Sequence, residues 1–116
     1  MNNIEFGLRI PAFPLDGSSG ELFIRQIKHF ISKIRKNFSS AWVCDHFHPW
    51  ASSVPVNTPL LEGFTAISYL SAIFKNLKFG NTVLCNSYRN PALVAKMGAT
   101  LQLPKVFSED LFGEDT

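Results

Sequence analysis

Apolar and polar positions along the chain predict an alternation of strands and helices. Residues 4–10 alternate between the two classes, which is typical of a strand. Residues 21–37 carry apolar side chains at helical spacing with charged residues on the other faces, which predicts an amphipathic helix. Its apolar stripe comprises Ile24, Ile27, Ile31 and Ile34, widened by Phe23 and Phe30. Residues 16–20, just before it, have the composition of a helix-capping loop.

The pattern then repeats twice. Continuous apolar runs over residues 40–44 and 82–85 predict two buried strands. Between them, Thr58 and Pro59 are typical of a helix start. The helix that they begin is apolar nearly all round and is predicted to continue to about residue 77, with Gly80 stopping it.

A third helix is predicted after the last strand. Asn90 and Pro91 form its cap, and the helix covers residues 92–101. The complete order is strand, helix, strand, helix, strand, helix. That order predicts an α/β fold with a parallel sheet and right-handed crossovers.

Composition narrows the class of protein. A chain of 116 residues with 46% hydrophobic residues predicts one globular domain. No apolar run reaches the length of a membrane span and no signal peptide is evident, so we expect a cytoplasmic protein without a membrane partner. The net charge of +2 is too small to demand a nucleic acid as partner, and acidic residues concentrate in a tail, residues 102–116.

Candidate chemistry follows the predicted second strand. In parallel α/β folds, ligands meet the carboxyl ends of the strands. Asp45, His46 and Trp50 emerge there directly from a buried strand. Histidine moves protons near neutral pH, and an aromatic side chain can stack on a planar cofactor. The structural alternative is that these side chains only order the loop and fill a gap over the sheet.

Two further alternatives stay open on the residues alone. His46 and His48, with Asp45 and His29, could bind a metal ion, although the spacing is not that of a known metal motif and no metal site is predicted. Arg89, close to a predicted helix N-terminus, could bind an anion or form a surface salt bridge.

Three segments resemble a known family. They are Trp42 to Trp50 (WVCDHFHPW), Thr58 to Glu62 (TPLLE) and Leu77 to Met97 (LKFGNTVLCNSYRNPALVAKM). Together they resemble the bacterial luciferase-like monooxygenase superfamily, whose members use FMN or the deazaflavin coenzyme F420. The resemblance implies a TIM-barrel type (β/α) fold of which residues 1–101 form the first three βα units.

The resemblance also implies roles for individual residues. His46 would be the catalytic acid or base, and Trp50 would line the pocket of a small organic substrate. Cys85 and Asn86 would contact the flavin after the third strand, where many members carry a non-proline cis peptide, and Asp45 is predicted to bind the cofactor with them. The implied chemistry is hydride transfer or oxygenation.

The chain departs from the family after Leu101. The family continues with a glycine-rich turn and a fourth strand, whereas residues 102–107 here read QLPKVF and lead into the acidic tail. This departure predicts a truncated barrel. It also leaves a second hypothesis, a non-catalytic α/β fragment that acts through self-association or a partner chain, and a homo-oligomer is expected.

Overall fold

A computed structural model describes the backbone of residues 3–110 and the side chains of residues 3–103. The chain divides into two compact units, Met1–Leu84 and Cys85–Thr116. The described residues form three strands and three helices in the order β1, α1, β2, α2, β3, α3, which confirms the predicted order of elements. The predicted domain boundary after residue 101 stays a prediction.

The first unit contains a parallel three-stranded sheet. The strands are β1 (Gly7–Arg9), β2 (Ser40–Val43) and β3 (Lys78–Asn81), and β2 lies in the centre. The register pairs Arg9 with Trp42 on one side of β2 and Gly80 with Trp42 on the other. This sheet, with its intervening helices, is an α/β arrangement consistent with the first βα units of a TIM barrel.

The two faces of the sheet differ. Along β2, Ala41 and Val43 are fully buried, whereas Trp42 is 39% exposed. Because successive strand residues point to opposite faces, one face lies against the core and the other is open among the described residues. The core of this unit includes the buried side chains Ile10, Phe23, Ile27, Ile31, Phe64, Ile67 and Leu70.

The first helix, α1 (Gly20–Ile34), agrees with its apolar stripe. Phe23, Ile27 and Ile31 are buried, as the periodicity predicts, whereas Phe30, predicted to widen the stripe, is 38% exposed. Ser19 is its N-cap, and its hydroxyl accepts a hydrogen bond from the backbone N–H of Leu22 at 3.3 Å. The predicted capping loop is therefore confirmed, while the helix ends earlier than residue 37.

The second helix, α2 (Gly63–Ile73), is shorter at both ends than predicted. Thr58 and Pro59 do not start it. The backbone N–H of Leu61 instead donates to the carbonyl of Ala12 at 3.2 Å, which holds this segment against the loop after β1. Glu62 is the N-cap, and its carboxylate accepts hydrogen bonds from the N–H groups of Phe64 and Thr65.

The predicted position of the third strand is wrong. Residues 82–85 are outside β3, and Gly80, predicted to stop a helix, lies inside the strand. The reason is the fit to β2, since a Cβ added at Gly80 would lie 2.6 Å from the ring of Trp42. The non-proline cis peptide joins Thr82 and Val83, earlier than the Cys85–Asn86 position that the resemblance implied.

The second unit contains α3 (Pro91–Asp110). Asn90 caps its start, since its side-chain oxygen accepts a hydrogen bond from the N–H of Ala92 at 2.9 Å. The helix continues beyond the predicted end at residue 101, into the segment predicted as an acidic tail. Residues 111–116 of that tail lie outside the described residues.

Candidate active site at the carboxyl ends of the strands

The loop after β2 begins at a tightly packed position. Cys44, which follows the strand, is buried with Ala12 and Phe13 from the loop after β1. Ala51, Val54 and Leu60 are partly buried and pack against this cluster, so both ends of the long loop are held. The loop can therefore present polar side chains at the strand ends from a fixed backbone.

Trp50 is the centre of a group of four side chains that we call the Trp50 cluster, comprising Arg9, Phe13, His46 and Trp50. The rings of His46 and Trp50 are tilted by 40° with their centroids 4.7 Å apart. Phe13 meets Trp50 edge to face at 5.0 Å. The guanidinium carbon of Arg9 lies 5.5 Å from the centroid of the Trp50 ring, within the range of a cation–π interaction.

The Trp50 cluster is open to solvent on one side. His46 is exposed and Trp50 is 50% exposed. Phe13 is buried beneath Trp50 and supports its ring. A ligand that packs on Trp50 therefore comes close to an imidazole, the side chain that most often serves in general acid–base catalysis.

Asp45 is in a different environment from His46. Its side chain is only 4% exposed. A Cβ added at Gly63, the first residue of α2, would lie 2.9 Å from Oδ1 of Asp45 and 2.6 Å from Nδ2 of Asn81. The carboxylate thus lies beside the N-terminus of α2, where the helix dipole favours a negative charge.

The open face of the sheet carries a second aromatic surface. Trp42 extends across this face, since a Cβ at Gly7 or at Gly80 would lie 2.6 Å from its indole. The indole N–H donates to the hydroxyl of Ser40 at 2.9 Å. A cavity of about 440 Å³ adjoins it, lined by Gly7, Arg9, Trp42, Asn81, Thr82 and Val83.

Cys85 and Asn86 open the second compact unit. Cys85 carries a half-buried thiol, and its carbonyl accepts a hydrogen bond from the N–H of Tyr88 at 3.5 Å. Asn86 is exposed, and its side-chain oxygen accepts from the hydroxyl of Ser87 at 3.3 Å. The structure thus brings His46 and Trp50 together in the first unit, and the predicted roles of His46, Trp50, Asp45, Cys85 and Asn86 all stay predictions.

The loop that carries Phe13 is ordered by a carboxylate. Oδ1 of Asp16 accepts from the N–H of Ser18 at 3.0 Å, and Oδ2 accepts from the amide of Gln26 at 3.2 Å. The nearby Ser18 hydroxyl and the hydrogen bonds from the backbone N–H of Ser18 and the amide of Gln26 lower the pKa of Asp16 below its ordinary value. The loop is thereby tied to α1 at neutral pH.

The structure offers no ligand set for the metal alternative. In the described part of the chain, no group of three or more His, Cys, Asp and Glu side chains could hold a metal ion. His29 is exposed on α1, and His48 is exposed in the loop after β2. No helix among the described residues is long and apolar enough to cross a membrane.

Sequence reasoning placed the segment Pro11 to Asp16 at the strand ends but named neither Arg9 nor Phe13 as a site residue. The sequence carried a signal for both residues. The alternation over residues 4–10 predicts a strand, and ligands bind at the carboxyl ends of strands in parallel α/β folds. What the pattern lacked was the pairing of β1 beside β2, which brings both residues to Trp50.

Comparison with known proteins decides the family. The model of the luciferase-like monooxygenase family matches residues 21–103. The chain belongs to this family. A search of the curated proteins gives no significant match. The luciferase-like family generally uses flavin-type cofactors, so membership suggests flavin-type oxidoreductase activity and confirms the resemblance predicted from the three sequence segments.

Proposed function

We propose that this luciferase-like chain contributes the substrate side of an oxidoreductase site that uses F420 or FMN. The observation that carries the proposal is the contact of His46 with Trp50 at the carboxyl end of β2, within a family that uses flavin-type cofactors. Trp50 lines the pocket of a small organic substrate, and His46 gives or takes a proton at that substrate.

The residues present fit a planar cofactor. Trp42 offers an aromatic surface beside the cavity of about 440 Å³. Asn81 and Thr82 line the same cavity and bring polar groups to it. When bound, a flavin or deazaflavin supplies hydride transfer or, for FMN, oxygenation.

Each candidate site residue has a distinct role in this proposal. Cys85 and Asn86 contact the cofactor, with the Asn86 amide at the ring edge. Asp45, which is buried beside Gly63, also binds the cofactor in this proposal. Phe13 keeps the Trp50 ring in place, and Trp50 in turn orients the imidazole of His46 toward the substrate.

Substitution of His46 tests this assignment. In a preparation that turns over a small organic substrate with F420 or FMN, His46→Ala should lower kcat about 100- to 10,000-fold, because general acid–base catalysis contributes that much. Cofactor affinity, measured by the change in cofactor fluorescence, should be unchanged. His48→Ala, a matched change in the same loop, should leave both quantities intact. Equal losses of turnover and cofactor affinity in His46→Ala would contradict an acid–base role.

A second function rests on the exposed parts of the sheet. In the described sheet β1 and β3 are both edge strands, and Ile4, Phe6 and Val83 are 60% or more exposed. Open edges and exposed apolar residues favour association between chains. The second candidate is therefore a non-catalytic module that self-associates, and a preparation that binds neither cofactor and sediments as an oligomer would favour it.

A further inference from the structure

Arg9 is a cation without an acidic partner in the described part of the chain. It is the last residue of β1 and is exposed at the carboxyl end of that strand. The salt bridge found among the described residues joins Arg25 and Glu21 on α1, and it does not involve Arg9. An arginine that has no carboxylate beside it at a ligand-binding edge is available to an anionic ligand.

The ring of Trp50 restrains this cation without using its hydrogen-bond donors. The Arg9 guanidinium lies over the ring at 5.5 Å. A guanidinium on an aromatic face keeps its five N–H donors around its own edge, where they can form a bidentate pair with a carboxylate or phosphate. The cation–π contact thus fixes the group in advance of binding, which lowers the entropy lost when an anion binds.

Arg9 also lines two open cavities. One, of about 240 Å³, is lined by Arg9 together with Phe13, Leu15 and Trp50 among other residues. The other, of about 440 Å³, contains Trp42, Asn81 and Thr82 beside the same arginine. Arg9 is the charged residue in both linings, and the first cavity is otherwise apolar and aromatic. This combination suits a molecule with an apolar body and one negatively charged group.

We propose that Arg9 binds the carboxylate or phosphate group of an organic substrate whose apolar part packs on Trp50 and Phe13. This inference rests on the proposed function and specifies its substrate class as an organic anion. Arg9 anchors the charged end, and the imidazole of His46, in contact with Trp50, lies at the same surface as the substrate body.

Paired ligands of equal shape test the charge requirement. Benzoate and its neutral analogue benzamide are titrated into the protein without any flavin, and the indole N–H signals of its two tryptophans are followed by NMR. Benzoate should bind about tenfold more tightly than benzamide, the scale of one charge-assisted hydrogen bond. Phenyl phosphate should bind at least as well as benzoate and compete with it.

Variants assign the preference to Arg9. Arg9→Gln should abolish the preference for benzoate over benzamide, whereas Arg9→Lys should retain part of it because the charge remains. Arg25→Gln, which removes a charge from the exposed face of α1, should retain all of it. Circular dichroism verifies that each variant is folded. Equal affinity for benzoate and benzamide in the unchanged protein would overturn the proposal, as would a preference that survives Arg9→Gln.

Three further outcomes separate this inference from the proposed function. If Arg9→Gln weakens FMN but leaves riboflavin binding unchanged, Arg9 holds the cofactor phosphate and the substrate assignment is overturned. If the benzoate preference depends on Arg9 while neither F420 nor FMN binds, the proposed oxidoreductase function fails and the anion site stands. If a cofactor binds but benzoate shows no preference, the inference alone fails.

Discussion

Asp45 and His46 are adjacent in sequence, yet Asp45 is buried and His46 is exposed. The reason is that the packed segment after β2 ends at Asp45 and an open loop begins at His46. Asp45 is directed to the start of α2, where Gly63 leaves room for its carboxylate and for the Asn81 amide. His46 reaches Trp50 instead. At the scale of single residues, the candidate site therefore depends on a glycine that belongs to neither of its two aromatic surfaces.

Substitution of that glycine gives a prediction. Gly63→Ala should lower the free energy of unfolding by about 1–3 kcal/mol, since an added methyl in a packed position forces its neighbours to shift. Urea denaturation followed by circular dichroism measures the change. Gly20→Ala is the matched control at the start of α1, where a Cβ would meet nothing within 4 Å, and it should not destabilise the protein. Equal effects of the two substitutions would contradict the close packing around Gly63.

At the scale of elements, α2 shows how a nearly all-apolar helix is used. Its sequence suggests cover on more than one side. In the structure one face is buried, with Leu70 at 2% exposure, while Tyr69 and Ile73 on other faces are 44% and 42% exposed. Tyr69 is also tied to α1, because its hydroxyl accepts a hydrogen bond from Nζ of Lys28 at 3.3 Å.

Two alanine substitutions within α2 test this asymmetry. Leu70→Ala should lower the free energy of unfolding by about 2–5 kcal/mol, because it removes a fully buried side chain. Ile73→Ala should cost about 1 kcal/mol or less, because that side chain gains little from burial. Thermal and urea unfolding of both variants provide the comparison. Similar losses in both would show that the exposed face of α2 is covered in solution.

Local patterns predict the order of the elements but not all of their limits. The stripe on α1 and its Ser19 cap are local signals, and both agree with the structure. The start of α2 differs because the N–H of Leu61 bonds to Ala12, which is distant in sequence. The position of β3 differs because Lys78–Asn81 pairs with β2 and Gly80 accommodates Trp42, and neither contact can be seen in the segment itself.

The same limit applies to the candidate site of the whole molecule. The strand-end rule identifies Asp45, His46 and Trp50, because they follow one buried strand directly. It does not identify Arg9 and Phe13 as their neighbours, because those residues come from another strand and the loop after it. The family resemblance supplies the cofactor class, which no local pattern in this chain carries.

The central claim is that this luciferase-like chain forms part of a site for a flavin-type cofactor, and a fluorescence titration with F420 and with FMN tests it most directly. The chain has two tryptophans, so Trp42→Phe leaves Trp50 as the reporter and Trp50→Phe leaves Trp42. We predict saturable changes in tryptophan and cofactor fluorescence in the unchanged protein, with Trp42 reporting cofactor in Trp50→Phe. No change with either cofactor at high micromolar concentration would contradict the claim.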